Sequence, residues 1–237
     1  MKHILLGLLF GIHLSAATPT TPLIVGTESN YPPYEFKEGG ELKGFEIDLV
    51  REVGKRLARP VQIKDMAFDN LLLEAVTGRI HVIAAAMTPT EERKKKILFS
   101  KSYIPKNPFV ILSLPGASYK TMESLKGKKV AVNSGYTAEA FLKTQPGVTV
   151  QSFSGPMEAF MAVKSKKVDA FVVVEDVAKS YLKKQGGLFM SVLDQGDDTA
   201  FGISMKHPET LGSINTVLEG MEKDNFLPEL RKKWGIL

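Results

Sequence analysis

"SKSYIPKNPFVILSLPG", residues 100–116, divides the chain into two series of alternating strand and helix patterns. Its centre, "PFVILSL", has the apolar, β-branched content of a strand and is bounded by prolines, which cannot continue a ladder. Before it, "LIVGT" (23–27), "VQIKDM" (61–66) and "RIHVIAAAM" (79–87) read as strands. Three helical patterns accompany them, two between the strands and one after the last. "FEIDLVREVGKRL" (45–57) sets Phe45, Leu49, Val53 and Leu57 on one face. "FDNLLLEAVTG" (68–78) stops at Gly78. "TEERKKK" (90–96) has Thr90 as its cap, acids in its first turn and lysines in its last.

After residue 116 the pattern restarts. "KKVAVNSG" (128–135), "VTVQSF" (148–153) and "VDAFVVV" (168–174) read as strands, and "TAEAFLKTQ", "PMEAFMAVKSKK" and "DVAKSYLKKQGG" as helices. A strand-like "AFGISM" (200–205) precedes two last helices in "PETLGSINTVLEGMEKD" and "LPELRKKW". Such alternation implies an α/β fold, with largely parallel sheets covered by helices. If 100–116 crosses to a second lobe and "DDTAFGISMK" (197–206) returns, the chain forms two lobes. One comprises 18–107 with 200–237 and the other 112–196, joined by a double-stranded hinge near 108–111 and 197–199.

The composition is that of a globular chain, 43% hydrophobic and 24% charged over 237 residues, enough for a sizeable core. "MKHILLGLLFGIHLSAA" (1–17) has a lysine at position 2, an apolar run from Ile4 to Leu14, and the small residues Ser15 and Ala17 at −3 and −1 of a cleavage site. It reads as a cleaved signal peptide, and its apolar run is short for a membrane anchor. The chain has no cysteine, which excludes disulfides, thiolate chemistry and a lipid-modified N-terminal cysteine. An exported, unanchored protein stays near the cell in an enclosing compartment, so a periplasm is expected. The net charge of +5 becomes +4 without Lys2, and its basic runs read as solvated helix faces with no arrangement for nucleic acid.

"NYPPYEF" (30–36) puts three aromatic rings and two prolines between the first strand and the first helix. It reads as a rigid extended loop that presents rings, not as a central strand.

In order, "VGT", "YPPYEF", "GFEIDL", "AFDNLL", "AAAMTPTEER", "GKKVAVNSGYT", "VDAFVVVED" and "FGIS" resemble the polar amino-acid solute-binding proteins of ABC importers, over about residues 20–237. The "YPP" loop is similar to that of the arginine-binding subgroup. The resemblance implies a type II periplasmic-binding-protein fold, each lobe a mixed sheet flanked by helices. It also implies a monomer that captures a free amino acid and delivers it to a membrane permease, with no cofactor and no reaction.

It further implies roles for individual residues. Arg93, which alone reads as a surface arginine of an "EERKKK" run, becomes the clamp for the ligand carboxylate. Thr137 joins it from the second lobe, with Ser134 and Gly135 forming the tight turn before it. Backbone groups of Ala85 and Ala86 and the hydroxyl of Thr88 line the other side. The ammonium needs an acid after the "VDA" strand, where either Val174 or Glu175 falls in place; Glu175 is expected to serve. Tyr31 and Phe68 match rings that face each other across the ligand side chain, a slot suited to a guanidinium. Glu28, with Glu46, matches positions at the far end of a cationic ligand, while Tyr34 and Phe36 are expected in the core and Asp48 in fold geometry. Arginine is therefore the expected ligand. The alternatives are a binder of glutamine or another polar amino acid, a periplasmic lyase similar to cyclohexadienyl dehydratase, and a sensory or adhesion module. For a lyase, His81 and His207 match no cleft position, leaving Glu28 or Glu175 as the acid or base.

Overall fold

The computed structural model describes residues 21–117 and 119–236. The signal peptide expected over 1–17 lies outside them. β1 (Leu23–Thr27) leads into a small antiparallel sheet of β2 (Asn30–Tyr31), β3 (Glu35–Glu38) and β4 (Glu41–Lys43). Pro32 and Pro33 occupy the turn between β2 and β3, so "NYPPYEF" is a peripheral hairpin rather than a loop without pairing. α1 (Phe45–Arg56), β5 (Val61–Asp65), α2 (Phe68–Val76), β6 (Val82–Ile83), α3 (Glu91–Lys94) and β7 (Leu98–Phe99) follow.

The long β8 (Ile104–Ser113) crosses to the second lobe. A 3-10 turn at Met122–Leu125 then precedes β9 (Lys129–Asn133), α4 (Thr137–Lys143), β10 (Thr149–Phe153), α5 (Pro156–Lys164), β11 (Ala170–Val174) and α6 (Glu175–Gln185). β12 (Phe189–Thr199) returns to β13 (Gly202–Ile203), α7 (Glu209–Lys223) and α8 (Phe226–Trp234).

Two five-stranded mixed sheets result. The first has the order β5-β1-β6-β13-β7, with β1 parallel to β5 and β6 and β13 antiparallel to both its neighbours. The second has the order β10-β9-β11-β8-β12, with β9 parallel to β10 and β11 and β8 antiparallel to β11 and β12. β8 and β12 pair from Phe189↔Ser113 to Thr199↔Ile104, and their far ends run back to the first lobe. There Ala200 N–H donates to Met87 O and Tyr103 N–H to Thr199 O.

Helices cover both faces of each sheet. α1 buries Phe45, Ile47, Leu49, Val50 and Val53, and Asp48 on its other side accepts from Trp234 Nε1 of α8 at 3.0 Å. α2 packs Leu71 and Ala75 against Ile80 and Ile83. In the second lobe Ala159, Phe160 and Val163 of α5 and Val177 and Ala178 of α6 cover one face, and Ala138 and Leu142 of α4 the other.

Three elements differ from the sequence pattern. "TEERKKK" is helical only over Glu91–Lys94, because it has no buried face to hold a longer helix. "RIHVIAAAM" pairs only at Val82–Ile83, since the backbone turns out at Ala86 (φ 47°). β12 is an edge strand of polar and small residues, "LDQGDDT", whose pairing partner lies far away in the chain.

Candidate functional site

The lobes meet across a cleft lined from the first lobe by Tyr31, Phe68, Ala86, Thr88 and Arg93. The second lobe contributes Asn133, Tyr136, Thr137, Val174 and, from its crossing strand, Asp197. The inner pocket encloses about 20 Å³, on the order of one water molecule.

Arg93 sits in α3, whose first turn is capped by Thr90; the Thr90 hydroxyl accepts from Arg93 N–H at 3.3 Å. The guanidinium donates to Thr88 O at 3.0 Å and, across the cleft, to Gly135 O at 2.9 Å. A guanidinium has five N–H donors, so these two bonds leave donors for a carboxylate. Burial pushes its pKa down, and the nearby Asp197 opposes that. Gly135 is required where it stands: its φ is 76°, and an added Cβ would come within 2.3 Å of Asp69 Oδ1 in the opposite lobe.

Asp197 accepts a hydrogen bond from Thr137 Oγ1. Burial raises its pKa, while the Thr137 and Thr88 hydroxyls and the Arg93 charge favour the carboxylate. Asn133, at the end of β9, is 3% exposed, and neither its amide nitrogen nor its oxygen has a hydrogen-bond partner among the described residues. A buried amide in a pocket wall without partners is unusual.

The other end of the cleft is aromatic. The Tyr136 ring lies between Phe68 and Tyr31, stacked on both, with centroids 4.1 Å and 4.7 Å away. Its hydroxyl donates to Glu28 Oε2 at 2.7 Å. Glu28 Oε1 also accepts from the N–H of Phe68 at 3.4 Å and from Asn30 Nδ2 at 3.3 Å. Burial raises the Glu28 pKa against these bonds. Arg93 Cζ stands over the Phe68 ring, 5.4 Å from its centroid.

Several residues singled out from the sequence have other surroundings. Tyr31 and Phe68 do not face each other across an open slot, because the Tyr136 ring fills it. Glu46 does not face the cleft: it is fully buried, its Oε1 accepting from Tyr103 Oη at 2.6 Å and from Ala86 N–H at 3.0 Å. It holds the left-handed turn at Ala86 from behind, and burial pushes its pKa up to about 7. Glu35, also fully buried, has no hydrogen-bond partner for either oxygen among the described residues, and burial beside Glu46 and Glu28 raises its pKa well above the usual range. Ala85 packs in the apolar core with Leu71 and Ile83, whereas Ala86 and Thr88 line the pocket.

Ser134 donates to Asp69 Oδ2 across the cleft at 3.4 Å and does not line the pocket. Glu175 opens α6 and pairs with Lys179 one turn on, at 3.1 Å; Val174, one residue earlier, lines the pocket. Tyr34 is buried, and its hydroxyl donates to Asp176 at 2.8 Å between the lobes, while Phe36 packs edge-on against Trp234. His81 and His207 lie against each other with centroids 4.0 Å apart, beside Ile24 and Gly78, and line neither pocket of the cleft. Sequence reading missed Asn133, Tyr136 and Asp197. The available signals were a polar residue ending a strand, a bulky ring before a helix, and an acid in a crossing segment.

The sequence model of the bacterial extracellular solute-binding proteins, family 3, matches residues 23–236. The chain is 30% identical over 219 residues to the probable ABC transporter arginine-binding protein ArtJ of Chlamydia trachomatis serovar D, covering 90% of this chain and 85% of that protein. Among solved structures it is similar to an ancestral arginine-binding protein bound to arginine, with a TM-score of 0.86 and 37% identity, covering 92% of this chain and 99% of that one. It is also similar to the ancestral amino acid-binding protein AncCDT-1, a precursor of cyclohexadienyl dehydratase, with a TM-score of 0.84 and 33% identity, covering 90% and 95%. The motifs, the two mixed sheets and the cleft between them agree with these likenesses, and the chain belongs to the bacterial extracellular solute-binding proteins, family 3, with the type II periplasmic-binding-protein fold.

Proposed function

We propose that the protein captures a free cationic amino acid, arginine foremost, in the cleft between its lobes and presents it to the permease of an ABC importer. In this reading it works in the periplasm as a monomer and without chemistry. The ligand carboxylate takes the free donors of Arg93 in place of Gly135 O, Asp197 takes the ammonium, and the Asn133 amide bonds the polar end. Glu28, reached past the rings, meets the far end of the side chain. Asp197 takes the role first given to Glu175, whose carboxylate is engaged by Lys179. The crossings in β8 and β12 are the hinge about which the lobes close.

The observation that carries this reading is a charge imbalance. Among the described lining residues Arg93 is the one cationic side chain, against Asp69 and Asp197 in the walls and Glu28 at the end of the ring stack; Glu92 pairs with Lys96, and burial favours the neutral forms of Glu35 and Glu46. A ligand carboxylate uses the single cation, and the surplus of acids favours a ligand with two positive groups. Competition calorimetry with arginine, lysine and glutamine tests it. Arginine binds most tightly, since it is both flat and charged; lysine follows, and glutamine is weakest. Glutamine binding first contradicts the cationic reading.

A second reading, a lyase acting on a cyclic carboxylate, draws on the likeness to the dehydratase precursor and on the raised pKa values of Glu28 and Asp197. Turnover of a prephenate-like substrate would establish it over the first.

A further inference from the structure

Tyr136 makes every contact that the distal part of a flat, hydrogen-bonding ligand side chain would make. Its ring fills the space between Tyr31 and Phe68, and its hydroxyl donates to the acid at the end of that space. It comes from the lobe opposite the other three residues. Tyr136 also stands at the N-cap position of α4, where its side chain caps nothing. Serine, threonine, aspartate or asparagine would serve the helix better there. Local helix stability therefore gives no reason for a tyrosine at this place, whereas the cleft does.

Resting on the amino-acid-binding reading above, we infer that Tyr136 is a tethered occupant of the Tyr31–Phe68 slot, and that it determines which ligands the cleft accepts. A ligand with a long side chain must displace the phenol; a ligand with a short one leaves it in place. To take the slot, the incoming group must offer the rings and Glu28 more than a neutral phenol does. A flat cation offers this through its charge over the ring faces and its pairing with the carboxylate. The same ring ties the lobes together, since the stack and the bond to Glu28 both cross the cleft.

The test compares wild type, Tyr136→Thr and Tyr136→Phe, each checked for a cooperative thermal transition, by calorimetry with arginine and with alanine and by small-angle scattering without added amino acid. Tyr136→Thr is expected to tighten arginine and to raise the preference for arginine over alanine about tenfold or more, equivalent to 1.4 kcal/mol. Tyr136→Phe keeps the stack and loses the bond, so it tightens arginine by about threefold. If Tyr136→Thr weakens arginine, Tyr136 is a wall contact of the bound ligand and the inference is overturned. If Tyr136→Thr does not fold, an arginine affinity in Tyr136→Phe equal to or weaker than wild type overturns it.

In scattering, Tyr136→Thr should have a larger radius of gyration than wild type, and Tyr136→Phe a value between them. If neither amino acid binds any of the proteins, the amino-acid reading fails. The scattering result then decides on the tether alone, and equal radii overturn it.

Discussion

The two ends of the cleft are built on different physical principles. At one end, Arg93, Thr88, Thr137 and Asp197 form a charged group in which most bonds run to a backbone carbonyl or a hydroxyl. At the other, Phe68, Tyr136 and Tyr31 form a stack of three rings closed by one carboxylate, Glu28. The charged end holds opposite charges partly out of water, so removing either leaves the other uncompensated. The aromatic end gains from area and ring geometry, terms that a ligand can replace in kind. The charged end is therefore suited to the parts common to all amino acids, and the aromatic end to the part that differs among them.

The largest effects are expected from deletions at the charged end. Arg93→Ala should weaken amino-acid binding by about 30-fold or more, as when one partner of a desolvated charge pair is removed. Asp197→Asn should cost roughly tenfold, since a neutral amide still accepts a hydrogen bond from an ammonium. Calorimetry reads both, and circular dichroism checks that the variants fold. Asp197 also gives the wild type a pH dependence. Its pKa is raised by burial, so binding weakens as the pH falls toward and through a point above the ordinary aspartate range. Asp197→Asn should lose that part of the slope. Affinities of both variants within a few-fold of wild type would erase the distinction between the two ends.

A separate effect, read in stability rather than in binding, concerns the support of the charged end. Glu46 holds Ala86 N–H two residues before Thr88, and its pKa rises from 4.5 to about 7 on folding. The native state then binds more protons than the unfolded chain between these values, so stability falls as the pH rises across that window, by on the order of 2–3 kcal/mol from this group. Glu35 acts in the same direction. Thermal midpoints at pH 5 and pH 7.5 should therefore lie closer together in Glu46→Gln than in wild type. An unchanged gap would assign the slope to other groups.

The unequal legibility of the two ends has the same physical origin. Arg93 and Thr88 stand in "TPTEER", where the capping threonine and the charged run are local features of the sequence. The strand–helix alternation likewise made both sheets readable, except where strands depend on distant partners, as β12 does on β8. Tyr31, Phe68 and Glu28 were identified, but the ring between them comes from Tyr136, and no local pattern states which residue of one lobe reaches into the other. Asp197 carries no local signal, whereas Glu175 opens a helix beside the motif, and the i,i+4 bond to Lys179 that engages it is a property of the helix surface. Glu46 was assigned to the ligand by its motif, whereas its carboxylate turns inward to Tyr103.

The central claim is that the cleft takes a free amino acid with a second positive group. The most direct measurement is mass spectrometry of the small molecule released when the purified protein is denatured. The expected result is a single α-amino acid with a cationic side chain, arginine above all, in an amount approaching one per chain. Recovery instead of a stoichiometric neutral or acidic amino acid, or of a molecule lacking the α-carboxylate or the α-ammonium, would contradict it.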